Sequence, residues 1–218
     1  MYKLPSYFKF YTDVSGNPYT RDSDSGDYEK VIIGLVSISK NHISNIINSF
    51  KQKFSSYWDL KGNQLNPKEL EDIVDFLDKN HVMMLTIMFE HEDWDKYRQM
   101  YPHETNFGEK VMAILYFLIL KNLIKKKLTH EAVLDNDTNF GILQTIVECK
   151  RLLGMYDYSI DITLGHRVIK PELRFPDWIA QARRQIPEKN LKKYNNFIIL
   201  NNKLPYPLRV LIFKSQKS

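Results

Sequence analysis

Apolar and polar positions along the chain alternate between two periods, and the switches between them mark out the elements. Tyr7–Tyr11 is a short aromatic run ending at Asp13, and Val31–Ser39 is a nearly continuous β-branched run. Both predict strands, paired as an antiparallel hairpin. Between them, Ser15-Gly16-Asn17-Pro18 is turn chemistry and polar Arg21–Asp27 a loop. Ile43–Phe54 carries apolar residues at 43, 46, 47, 50 and 54, which is helical spacing. Tyr57–Gly62 breaks the pattern. Pro67 then opens a helix through Leu77, with Glu69 and Glu71 near its start. His81–Phe89 is apolar almost throughout and predicts a strand covered on both faces. Glu92–Tyr101 is a short polar stretch that fits a helix. Phe107–Leu128 predicts a long helix closing on Lys125-Lys126-Lys127, a favourable charge for a helix C-terminus.

His130–Leu134 is a short strand running into Asp135-Asn136-Asp137, and Phe140–Leu153 a helix closed by Gly154. Tyr158–Val168 alternates, with Ile160, Ile162 and Leu164 on one face. Phe175–Ile186 is a helix with Pro176 in its first turn, and Phe197–Leu200 and Val210–Phe213 are short extended pieces. Helices interleaved with strands predict an α/β fold, a mixed sheet with helices on its faces. The 218 residues carry no linker composition that would split them, so one domain is expected over 1–218.

Composition adds a polarity. The net charge is +5, yet Arg183–Ser218 holds nine Lys or Arg against the single acid Glu188, leaving the rest of the chain net acidic. A basic extension behind an acidic body suits a protein that grips phosphates and holds metals with carboxylates, and also an ordinary solvated surface. The lone Cys149 excludes an internal disulfide and, among helix-spaced apolar residues, reads as core. Val111–Leu120, the longest apolar run, is well short of the ~20 residues a membrane-spanning helix needs. The N-terminus has no signal-peptide pattern. A cytoplasmic protein with no membrane association is expected.

Four aspartates carry the candidate chemistry: Asp13, Asp59, Asp135 and Asp177. Each stands where an element begins or ends, and Asp13 and Asp135 follow apolar strand-like runs. Phosphoryl transfer assisted by two Mg²⁺ or Mn²⁺ ions gathers hard oxygen ligands in this way from distant sequence. Each aspartate alone also has a plain use, as a turn starter (Asp13, Asp135), a surface residue (Asp59) or a partner of a helix dipole (Asp177). Arg183 and Arg184, on the helix that holds Asp177, offer a phosphate contact.

The motifs also resemble a family. Phe10-Tyr11-Thr12-Asp13-Val14-Ser15-Gly16 resembles the opening strand of a large prokaryotic family of uncharacterised RNase H-like proteins that carry Asp-Glu-Ser-Gly there. Asp59-Leu60-Lys61-Gly62 is similar to its second motif, Glu-Leu-Lys-Gly. Leu134-Asp135 is similar to its strand ending in Asp. Pro176-Asp177-Trp178-Ile179-Ala180-Gln181-Ala182 resembles its last helix, Ala-Asp-Leu-Ile-Ala-Gly-Ala. The order of motifs covers a core of roughly residues 7–186, followed by the basic extension 187–218. The resemblance implies an RNase H-like mixed sheet flanked by helices, with helical insertions. It implies a nuclease site in which Asp13, on the central strand, bridges two metal ions. Asp135 and Asp177 would each hold one, Asp59 would stand in for the family's Glu, and Lys61 would contact a phosphate. His166, just ahead of the last helix, falls where RNase H-like enzymes often have a mobile His that aids product release or proton transfer.

The expected function is therefore metal-dependent hydrolysis of nucleic-acid phosphodiester bonds, on DNA, RNA or a hybrid. Two departures from the family, Val14 for its acid and Asp59 for its Glu, support another expectation: a catalytically inactive nucleic-acid- or protein-binding module on the same fold. ATP-dependent phosphotransfer would need Gly-rich phosphate loops, and Asp13-Val14-Ser15-Gly16 offers a single Gly.

Overall fold

The computed structural model describes residues 4–16, 30–90, 106–126, 128–136 and 141–200, with Asp93 and Gln99. The predicted loop Arg21–Asp27, nearly all of Glu92–Tyr101, Lys127, Asp137 and the extended piece Val210–Phe213 lie outside the described residues.

Among the described residues, six strands form one mixed sheet: β1 (Phe8–Ser15), β2 (Val31–Ser39), β3 (Met83–Phe89), β4 (Thr129–Asp135), β5 (Ser159–Gly165) and β6 (Phe197–Leu200). Their order is β5-β4-β1-β2-β3-β6. β1 and β2 pair antiparallel, as the hairpin reading expects, and β3 continues the antiparallel pairing on β2. β4 lies parallel to β1 on its other side, β5 parallel to β4, and β6 parallel to β3. Part of the basic extension is thus built into the sheet. Among the described residues the helices include α1 (Ile43–Lys53), α2 (Pro67–Lys79), α3 (Phe107–Lys121), α4 (Ile142–Gly154), α5 (Arg174–Gln185) and the one-turn α6 (Glu188–Leu191).

Strand alternation divides the apolar residues into two cores. Phe10, Ile33, Leu35, Leu85, Ala132 and Ile162 meet α3 and α4 on one face. Tyr11, Val36, Met84 and Val133 meet α1, α2 and α5 on the other. α3 is buried all round, which is why its apolar run reads as a core helix and lacks a polar stripe. α2 begins at Asn66, whose side chain accepts from the Lys68 and Glu69 N–H groups while Glu69 accepts from Asn66 N–H, a reciprocal cap. Among the described residues, no helix is long and apolar enough to cross a membrane.

Two helix ends differ from the sequence expectation. α3 stops at Lys121, because Asn122 Nδ2 donates to the Leu118 carbonyl at 2.6 Å and the chain turns. Leu123 and Ile124 are then buried, and Lys125 N–H donates to His130 Nε2. Lys125 and Lys126 therefore lie past the helix and do not cap it. α4 runs through Gly154, and the left-handed backbone falls at Asp157, with φ 60°. Cys149 is buried in the α3–α4 core, where burial pushes its thiol pKa up. The expected result is no labelling by iodoacetamide in the folded protein and full labelling in denaturant, read by intact mass.

Candidate functional site

The site forms where β1 and β4 end. In β1, Tyr11, Asp13 and Ser15 face the α5 side, while Val14 packs into the opposite core. Val14 therefore points away from Asp13, as strand geometry requires. The parallel register pairs Thr12 with Leu134, so the next residues, Asp13 and Asp135, finish side by side on the same face.

α5 brings the third acid. It crosses β2 at Gly34, the residue opposite Asp13 in the ladder. A Cβ there would lie 2.3 Å from the Pro176 carbonyl and 2.9 Å from Ala180 N. Only a glycine lets the first turn of α5 approach this closely. Gly62 gives the same clearance on the far side, where a Cβ would lie 2.5 Å from Gln181 Cγ. The helix is then locked in place. Gly62 N–H donates to Asp177 Oδ2 at 2.9 Å, Trp178 Nε1 donates to the Leu60 carbonyl, and Gln181 Nε2 donates to Ser15 Oγ at 2.7 Å. Trp178 and Phe175 pack against Phe50 of α1, which anchors the helix in an aromatic cluster.

The three carboxylates surround one cation that the sequence reading did not single out. Arg167 Nη1 lies 3.3 Å from Asp177 Oδ2, and its Nη2 lies 3.4 Å from Asp135 Oδ2 and 3.7 Å from Asp13 Oδ2. Asp13 is 5% exposed and Asp135 1%. Burial, then the charges of Asp177 and Asp135, raise the Asp13 pKa well above the usual carboxylate range. Val14 N–H and Arg167 oppose this without cancelling it. Burial also raises Asp177, against the Gly62 N–H and Arg167. The cluster is thus over-supplied with negative charge, the condition a bound divalent cation relieves. Its donors are hard oxygens, which suit Mg²⁺ or Mn²⁺. Among the described residues, no three His, Cys, Asp or Glu side chains already stand in a metal-holding arrangement; the three aspartates are spaced around a guanidinium.

The other residues singled out in the sequence are distributed differently. Asp59 is 89% exposed at its side chain and pairs with Arg174 at 3.8 Å, outside the buried cluster. Arg174 explains this: it stacks on Trp58, donates to the Trp58 and Arg167 carbonyls, and fixes the Tyr57–Gly62 segment with Asp59 turned to solvent. Lys61 is exposed beside Gly62, close enough for its charge to lower Asp177 slightly. His166 follows β5, is exposed, and accepts Val168 N–H at Nδ1. Arg183 pairs with Glu188 at 2.9 Å and lines a cavity of about 390 Å³ with Met88, Glu90 and Lys192, away from the aspartates. Arg184 Nη2 donates to the Lys30 carbonyl beside Gly16.

Glu109 is a further residue that the sequence reading did not single out. Among the described residues its Oε2 is buried without a hydrogen-bond partner, in the first turn of α3 and against Gly141, which follows β4 past Asp135. A Glu in a first turn beside an almost wholly apolar run is the signal that was available. No protein-family model matches this sequence, and no curated protein matches it.

Proposed function

We propose that the chain is an RNase H-like, Mg²⁺- or Mn²⁺-dependent phosphodiesterase acting on nucleic acid. The observation that carries this reading is the meeting of Asp13, Asp135 and Asp177, from a central strand, its parallel neighbour and a late helix, at one end of the sheet. The strand order supports it, with an antiparallel trio followed by two strands parallel to the first. When bound, a divalent ion supplies Lewis-acid activation of water and phosphate. The chain's own residues do the rest. Asp13, Asp135 and Asp177 would hold the ion, and Gly62 N–H keeps one Asp177 oxygen in place. Lys61, exposed near Asp177, and the exposed Arg184 on the same helix as Asp177 would meet phosphates of the substrate backbone.

The second reading, a non-cleaving module on the same fold, is favoured by one observation: the Arg167 guanidinium already neutralises part of the cluster. Cleavage of end-labelled single-stranded, duplex and hybrid substrates separates the two. The nuclease reading expects Mn²⁺-dependent cutting that falls about 10³-fold or more in Asp177→Asn, the scale of losing a group that stabilises the transition state. It expects a change of no more than about threefold in Asp59→Ala, because that carboxylate is exposed and its partner is Arg174. Absence of cutting on every substrate, with binding that survives both substitutions, would move the assignment to the module. Asp59→Ala losing as much as Asp177→Asn would place Asp59 in the site after all.

A further inference from the structure

We propose that Arg167 is an internal counter-ion of the acidic site, which holds the three carboxylates together in the metal-free protein and must give way when a divalent ion loads. This rests on the metal-dependent reading above and concerns how that site is regulated.

The geometry sets the competition. The guanidinium reaches the same oxygen, Oδ2, of Asp13, Asp135 and Asp177, at 3.3–3.7 Å. A Mg²⁺ ion held by those oxygens would lie about 2.0–2.1 Å from each. A guanidinium carbon skeleton cannot remain between the oxygens while such an ion draws them together. Two cations would also face each other at close range inside a buried site.

The Arg167 backbone is held in a hydrogen-bonded turn. Ile169 N–H and Lys170 N–H both donate to the His166 carbonyl, and Val168 N–H to His166 Nδ1. The Arg167 carbonyl accepts from Arg174 Nη1 at 2.7 Å. The side chain has a different freedom. It is 15% exposed, so the long stem can carry the guanidinium toward solvent without unfolding the turn. Arg167 is therefore a positioning residue: it stabilises the acids when the ion is absent and sets the affinity the ion must overcome.

Two measurements test this. Mn²⁺ binding is measured by calorimetry on the full chain for wild type, Arg167→Gln and Arg167→Lys. Arg167→Gln is expected to bind Mn²⁺ about tenfold more tightly or better, equivalent to ~1.4 kcal/mol, and Arg167→Lys is expected to stay near wild type. If Arg167→Gln fails to fold without metal, the wild type carries the test alone. Arginine side-chain ¹⁵N resonances are followed as Mg²⁺ is added, with Arg167→Lys giving the assignment. The Arg167 head-group signals should shift from a restrained to a freely rotating form. Mn²⁺ affinity equal or weaker in Arg167→Gln, or Arg167 signals unmoved by saturating Mg²⁺, would overturn the counter-ion role and leave the metal site standing. Absence of Mn²⁺ binding in wild type and Arg167→Gln alike would instead remove the metal-dependent reading itself, and this proposal with it.

Discussion

Asp13→Asn should make the metal-free protein more stable while abolishing Mn²⁺-dependent cleavage. Asp13 is buried, and the largest influences on its carboxyl, burial followed by the charges of Asp177 and Asp135, all disfavour ionisation. Asn keeps the shape and an acceptor for Val14 N–H, the bond that Asp13 Oδ1 makes at 2.7 Å. It removes the charge that burial and repulsion penalise. The sign for pH follows from the raised folded-state pKa. The folded protein holds the Asp13 proton at pH values where the unfolded chain, near the ordinary value of 3.8, has lost it. Stability is therefore greatest on the acid side of this window and falls as pH rises through the folded-state pKa. Asp177, also raised, adds to the same slope. Thermal melts in EDTA at pH 5 and pH 8 should show wild type losing stability toward pH 8, and Asp13→Asn losing less. At pH 8 the variant should melt a few degrees higher, the shift that ~1 kcal/mol gives a domain of this size. Added Mn²⁺ should raise the melting temperature of wild type and leave the variant unmoved. A variant that melts lower than wild type at pH 8 in EDTA would mean that pairing with Arg167 outweighs the repulsion, and would reverse this account of the site.

Much of this architecture is legible in the sequence because it is local. Period-two alternation places Asp13 on the face opposite Phe10, Thr12 and Val14, and β-branched runs mark β2 and β3. A Pro and an apolar stripe mark α5 with Asp177 in its first turn. The approach of Asp135 to Asp13 follows once β4 is set parallel beside β1. What the sequence hides is contact made at long range. Arg167 lies 154 positions from Asp13 in the chain, in a turn between β5 and α5 where nothing in the local pattern distinguishes a solvated Arg from one pointing inward. Asp59 shows the converse. The direction of its side chain is set by Arg174 and Trp58, a constraint no spacing reveals. Helix ends are hidden for a related reason. α3 ends where Asn122 turns back on Leu118, a local competition that outweighs the favourable charge of the lysines beyond it. The paired expectation for α4 fails because the left-handed residue is Asp157, three positions past the glycine.

Gly34 is where the fold and the site depend on the same atom, and Gly34→Ala should be among the most damaging single-methyl changes in the chain. Glycine within a buried β-branched strand normally weakens it, so its presence marks a close approach. The approach is by backbone: the added methyl would stand 2.3 Å from the Pro176 carbonyl and 2.9 Å from Ala180 N. A flexible side chain could turn aside, but a helix backbone moves only as a body. α5 would have to lift away from β2, against the aromatic cluster of Phe50, Phe175 and Trp178 that holds it down. Overpacking of this kind costs about 1–3 kcal/mol, which lowers the melting temperature by about 2–4 °C per kcal/mol. The functional cost should be larger. Asp177 rides on the displaced turn, and lifting it breaks the 2.9 Å bond to Gly62 N–H and draws its carboxylate away from Asp13 and Asp135. A displacement of about 1 Å at a reacting site can cost 10²-fold in rate, so cleavage should fall well beyond what the stability loss explains. Gly154→Ala supplies the control. That residue is helical, and a Cβ on it would meet nothing within 4 Å. It should stabilise by up to ~1 kcal/mol through helix propensity and leave cleavage and Mn²⁺ binding unchanged. Urea denaturation and Mn²⁺ calorimetry on both variants decide the matter. If Gly34→Ala keeps wild-type stability and wild-type Mn²⁺ affinity, α5 does not rest on β2 as closely as described, and the clustering of the three aspartates loses its structural cause.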